Sequence, residues 1–186
     1  MKTAMTWLLA IALLGGAWAV TLLAPSDDAG RDAFVTEVAP GERGVGRNIA
    51  ATVTDVRAAS SITAESGWHA EGHWLVVDLT AEATASQSSG ILGAATLRIG
   101  DRTFSATERG PDEMTLYRTQ LVPGVPQHGS LLFELPDTAL HGIGVLRLST
   151  GYGDPWGDSV LEIPIDLDAV EHAGAVTVDD KGWAKP

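Results

Sequence analysis

The chain has no cysteine. That excludes thiol catalysis, thiolate metal sites and acylation of a lipobox cysteine, and it denies an exported domain the disulfides that many such domains use. Any anchor is therefore polypeptide, and the fold must be held by packing alone. Basic residues are scarce: 12 Lys and Arg stand against 24 Asp and Glu, a formal net charge of −12. This balance argues against nucleic acid, whose recognition needs a basic patch, and against docking on anionic headgroups. A negative surface chiefly keeps a domain soluble. Aromatics are only 6% of the chain, so the clusters Trp68/Trp74 and Tyr152/Trp156 stand out.

Long apolar runs are absent with one exception, the amino terminus. Met5 to Ala24 carries no charge over about twenty residues, close to what one helix needs to cross a bilayer. Lys2 precedes it and Pro25 with Asp27-Asp28 ends it, a polarity that leaves Lys2 inside and the remainder outside. Two readings stand. A cleaved signal peptide has a shorter apolar core and a small-x-small site; Thr6–Leu14 and Ala17-Trp18-Ala19 supply both. Against cleavage, Val20 to Leu23 continue the apolar run to the length of a true span. The length favours an uncleaved single-pass anchor in the cytoplasmic membrane with the carboxy-terminal domain outside. The alternative is a chain secreted after cleavage near Ala19.

Residues 25–46 are rich in Gly, Pro and charge and read as a flexible stalk, with Phe34, Val35 and Val38 as its apolar groups, free to pack on the domain or to lead it as a short strand. From Arg47 the pattern changes to period two. Ile49, Ala51 and Val53 alternate with small polar residues, as a half-buried strand requires. Further strands are expected at residues 74–80, 94–99, 102–106, 130–135, 145–149 and 159–165, with a weaker one at 117–121. Gly100-Asp101 suits a two-residue hairpin turn. Pro164 has no N–H for a ladder and points to an edge strand or a strand end. Single helical turns are expected at 137–140 and 167–173. Seven to eight short strands separated by turn residues predict an all-β antiparallel β-sandwich over 47–168, with residues 1–4 cytoplasmic and the helix at 5–24. Residues 169–186 read as a mobile tail, with an edge strand at 175–178 as the alternative.

Three segments also carry a resemblance: Gly46–Val56, the strand Ala70–Leu79 (AEGHWLVVDL) and Leu121–Pro136 (LVPGVPQHGSLLFELP). In this order they resemble the telokin-like, immunoglobulin-like extracytoplasmic domains of bacterial, actinobacterial-type exported and membrane-anchored proteins. The resemblance spans about Arg47 to Asp166. It implies an immunoglobulin-like two-sheet sandwich outside the membrane with no enzyme activity, and it hands over no catalytic residue and no cofactor.

Two segments are candidate interaction surfaces. Trp68, His69 and His73 form the densest polar-aromatic cluster. Two histidines four apart on a strand lie about 13 Å apart at roughly 3.3 Å per residue, and a metal needs more converging ligands than these; no metal is expected. Tyr152, Asp154, Trp156 and Asp158 form a Gly-rich loop with too few acids for a calcium loop but with aromatic groups of the kind that anchor protein contacts. Ser, His and Asp occur without a nucleophile elbow, and the glutamates are scattered. The chain is thus expected to be a non-enzymatic module binding an envelope or membrane protein, with a released small-ligand-binding or metal-binding domain as the alternative.

Overall fold

The computed structural model describes residues 2–23, 33–151 and 158–184. The chain divides into two compact units, Met1–Asp32 and Ala33–Pro186. In the first, α1 (Lys2–Leu23) is one helix whose apolar side chains, including Met5, Trp7, Leu9 and Ile11, are exposed. It has no polar stripe that would mark one side for solvent, and by length and composition it is able to cross a membrane. Thr21 is accommodated because its hydroxyl donates to the Ala17 carbonyl within the helix at 2.7 Å.

The second unit is a two-sheet β-sandwich. Its strands among the described residues are β1 (Phe34–Glu37), β2 (Gly44–Val45), β3 (Ala50–Ala64), β4 (His69–Glu82), β5 (Ala94–Ile99), β6 (Arg102–Ser105), β7 (Gln127–Glu134), β8 (Ile143–Ser149), β9 (Ser159–Asp166), β10 (Glu171–Ala173), β11 (Val176–Val178) and β12 (Gly182–Trp183). One sheet has the order β1-β9-β8-β5-β6; the other runs β10-β3-β4-β7-β12, with β2 and β11 also on β3. Alternation decides the core. Leu75, Val77 and Leu79 on β4 and Leu131 and Phe133 on β7 point inward to meet Leu97, Leu146, Leu148, Leu161 and Ile163 of the opposite sheet.

Several expectations change here. The segment expected as a stalk is part of the sandwich from Ala33 onward: β1 pairs parallel with β9, and Val38 is buried in the core. Gly41, at φ 83°, serves the turn before β2, and Gly44 is part of β2 itself. The tail is also structured. β10 and β11 pair in parallel with β3, and β12 pairs antiparallel with β7; with β1 on β9, three parallel strand pairings depart from an all-antiparallel sandwich. Lys181 pins the tail: its N–H donates to Glu113 O at 2.7 Å and its ammonium to Asp112 O at 2.8 Å. Residues 117–121 form no strand, only an isolated bridge between Gln120 and Ile91. The turn at Asp137–Ala139 is helical as expected, whereas 167–173 ends in β10.

Pro164 lies near the end of β9, as expected, at a place where an inner strand becomes an edge. β9 lies inside its sheet, between β1 and β8. Val38 N donates to Glu162 O at 2.9 Å, and the next bond of a parallel ladder would need an N–H from Pro164. There is none, so β1 leaves the sheet at Val38 and the face beside Pro164 stays open.

β3 and β4 are long and irregular. Register shifts fall between Val53 and Asp55 and between Ala59 and Ser61. At the first, Thr54 is the extra residue and switches which side chains of β3 face inward. At the second, β4 carries the extra residue at Gly72-His73. Bulges bend and twist a strand pair. The far end of this hairpin accordingly packs in a second apolar cluster on the outer side of its own sheet, where Ile62 and Ala70 join Trp74, Val76 and Leu132. Met114 and the tail residues Val176 and Val178 close that cluster. This is why β4 is buried on both sides at Trp74-Leu75-Val76-Val77.

Candidate functional site

The described residues among those singled out from sequence, Trp68, His69, His73 and Asp158, make separate contacts. Trp68 is half-buried and packs against the second apolar cluster, so it serves as a lid on that cluster. His69 is exposed, with Nδ1 3.1 Å from the hydroxyl of Thr63, its cross-strand partner. His73 lies in the bulge, with Nδ1 3.8 Å from Asp137 Oδ1. The two imidazoles engage different neighbours, and among the described residues no three His, Asp or Glu side chains come together as a metal would require. Tyr152, Asp154 and Trp156 lie outside the described residues. Asp158 belongs to the sandwich's frame: its Oδ1 accepts from Ser159 N at 2.8 Å and lies 3.4 Å from Arg47 Nε, and its carbonyl accepts from Phe34 N at 2.9 Å. It ties the start of β9 to the start of β1.

The structure instead builds two side-chain groups on the outer side of the β3–β4–β7 sheet. The first surrounds Trp74. Its indole is fully buried, and Nε1 meets no acceptor among the described residues. The Arg109 guanidinium carbon lies 5.8 Å from the ring centroid, within cation–π range, and Arg109 is held there by Glu134 at 2.9 and 3.1 Å. Gly72 crosses the edge of the ring, where a Cβ would come within 3.1 Å of Nε1.

The second group lines a polar cleft of about 200 Å³ that includes Arg57, Asp78, His128, Ser130 and Asp179. Both oxygens of Asp78 are engaged. Arg57 donates to Oδ2, and the Ser130 hydroxyl donates to Oδ1 at 2.6 Å. Arg57 Nε sits 3.1 Å from Asp55 Oδ2 but makes no directed hydrogen bond, so Asp55 adds charge attraction alone. Chemically this is a closed set. The serine proton goes to a carboxylate already compensated by an arginine, and no imidazole accepts from Ser130, so nothing readies that oxygen for attack.

Sequence reading missed Arg57, Asp78, Ser130 and Arg109. An acid inside Val-Val-Asp-Leu was visible as the outward residue of β4. Its arginine partner was not, because the bulge at Thr54 sets the register that puts Asp55 opposite Asp78 and Arg57, opposite Val76, diagonally within its reach.

No family model matches the chain, and no curated protein matches it. An uncharacterised β-sandwich protein from Clostridium difficile 630 is similar in backbone, with a TM-score of 0.48 and 12% sequence identity over 77% of this chain and 100% of that one. The sandwich described above rests on the pairing of its own strands.

Proposed function

We propose that the chain is a single-pass, membrane-anchored β-sandwich outside the cytoplasmic membrane, acting as a protein-interaction or accessory module of the cell envelope. The observation that carries this is α1, which is as long as a span, apolar on every side and joined to a sandwich with its own core. The order of segments that resembles telokin-like, immunoglobulin-like domains agrees with that address. We take the module to act by binding rather than catalysis. The separation of His69 from His73 and the closed Arg57–Asp78–Ser130 set support this.

The test is in-cell crosslinking of the tagged full-length chain, followed by membrane purification and mass spectrometry. An intact amino terminus, retention in membranes after alkaline washing and a stoichiometric partner are expected. A mature chain beginning at Val20 and free of membranes would replace this reading with that of a released domain.

A further inference from the structure

The outer side of the β1-β9-β8-β5-β6 sheet is open around Val145 and Pro164, although Ser149 and Val160 at its other end are buried, and its charges are sorted by strand. Registers place Arg98 (β5), Val145 (β8) and Pro164 (β9) in one row, and Thr96 (β5), Arg147 (β8), Glu162 (β9) and Glu37 (β1) in the next. Both cations, Arg98 and Arg147, lie on β5 and β8; the acids Glu162 and Glu37 lie on β9 and β1, and so does Asp166, one row further along β9 and opposite Ile143. Arg147 Nε is 2.9 Å from Glu162 Oε1. Arg98 and Glu37 form no ion pair among the described residues, and with Arg98 this is notable in a chain holding twice as many acids as bases. The middle of the face is apolar at Val145 and Pro164, and Ile143, 58% exposed, stands at its end opposite Asp166. Where β1 leaves the sheet, an open hollow of about 410 Å³ remains over Pro164, walled by Val38, Ala39 and Val145 and rimmed by Glu37 and Glu162.

This pattern is complementary to itself. Suppose two copies face each other across a two-fold axis that runs along the strands between β8 and β9. Each copy's β8 then lies over the other's β9, and each β5 over the other's β1. Val145 meets Pro164, Arg147 meets Glu162, and Arg98 reaches the hollow beside Glu37. A two-fold contact repeats every such pairing twice, and near-aligned packing of two sheets suits the geometry. We propose that this face is the contact between two copies of the chain, with Arg98 of each seated in the Pro164 hollow of the other.

The contact is small. Five strands at about 4.8 Å spacing by about five residues at 3.3 Å cover roughly 400 Å² per copy, well under the ~800 Å² per partner of a standard interface. The dimer is therefore weak in free solution and depends on the high local concentration of two anchors in one bilayer. Its strength, though not its geometry, rests on the anchored reading.

The absence of cysteine makes the test direct, since one introduced thiol reports only its own neighbourhood. The full-length Val145→Cys chain is treated in membranes with a short bis-maleimide, with Thr177→Cys on the other sheet as control. The expected result is a homodimer band for Val145→Cys alone. Arg98→Glu and Glu37→Arg each weaken it roughly five- to tenfold, and the two together restore it. Equal dimer from both thiols, a crosslink to a chain of different mass, or no recovery in the double charge swap overturns the proposal. The mass of the monomer band reports separately whether the amino terminus is intact. If it is cleaved, the same variants are compared in solution at millimolar concentration, where a dimer specific to Val145→Cys is still required.

Discussion

Ser130 on β7 donates its hydroxyl to Asp78 on β4 at 2.6 Å, while Arg57 on β3 holds the other carboxylate oxygen. One acid thus joins three neighbouring strands on a side of the sheet that would otherwise be solvated. Removing it strands both donors. Asp78→Ala should cost about 2–3 kcal/mol, and Ser130→Ala about 1 kcal/mol. In a domain of this size that lowers the melting temperature by roughly 4–12 °C for Asp78→Ala. Thermal or urea melts decide it, and an unchanged midpoint would show the cluster to be a solvated surface pair.

Gly72 sits at the β4 bulge with φ 153°, and a Cβ there would lie 3.1 Å from Trp74 Nε1 and 3.3 Å from Glu134 Oε1. Gly67 has φ 90° but open space around it. Gly72→Ala should therefore be the more damaging, by about 2 kcal/mol or more against about 1 kcal/mol for Gly67→Ala. Equal stabilities in parallel urea titrations would mean that backbone conformation alone matters at Gly72.

Truncation after Ala173 removes Val176 and Val178, both buried in the second cluster with Trp74 and Leu132. At about 1.5–3 kcal/mol per buried side chain, the loss is a large share of the ~5–15 kcal/mol that folds a domain. The truncated chain should bind a hydrophobic dye and melt early. Val178→Ala should do so mildly. A truncated chain as stable as the whole would make the tail an ornament.

Asn48 is buried and pins the segment after β4. Its Oδ1 accepts from Ala85 N at 2.9 Å and Ser86 N at 2.7 Å, and its Nδ2 donates to Ser86 O at 2.9 Å. Asn48→Ala leaves two N–H groups unpaired and should cost about 2–3 kcal/mol. Hydrogen exchange at Ala85 and Ser86 should rise well before the strands lose protection. Unchanged exchange at those two amides would refute this account.

Much of the sandwich was legible. Strands at 74–80, 94–99, 102–106, 130–135, 145–149 and 159–165 announce themselves by period two, and Gly100-Asp101 forms the turn between β5 and β6 with Gly100 at φ 59°. Those signals are local, carried by neighbours in sequence. The candidate surface was poorly legible. Trp68 looked like a binding aromatic because its sequence neighbours are polar, yet it covers an apolar cluster assembled from four distant segments. Asp158 looked like a loop acid, yet it accepts from the residue that opens β9.

By itself the sequence determined the apolar amino-terminal helix, the sandwich and the inward face of most strands, because length of an apolar run, alternation and turn residues are properties of short segments. Tertiary structure alone decided the rest. Whether residues 33–46 and 171–183 hang free or pair depends on which edges of β3, β7 and β9 remain open. Which arginine meets Asp78 depends on one extra residue at Thr54. The hollow over Pro164 exists because Pro164 cannot donate the bond that would carry β1 further. Each is a relation between residues far apart in the chain, and a pattern read along one strand holds no record of what stands across from it.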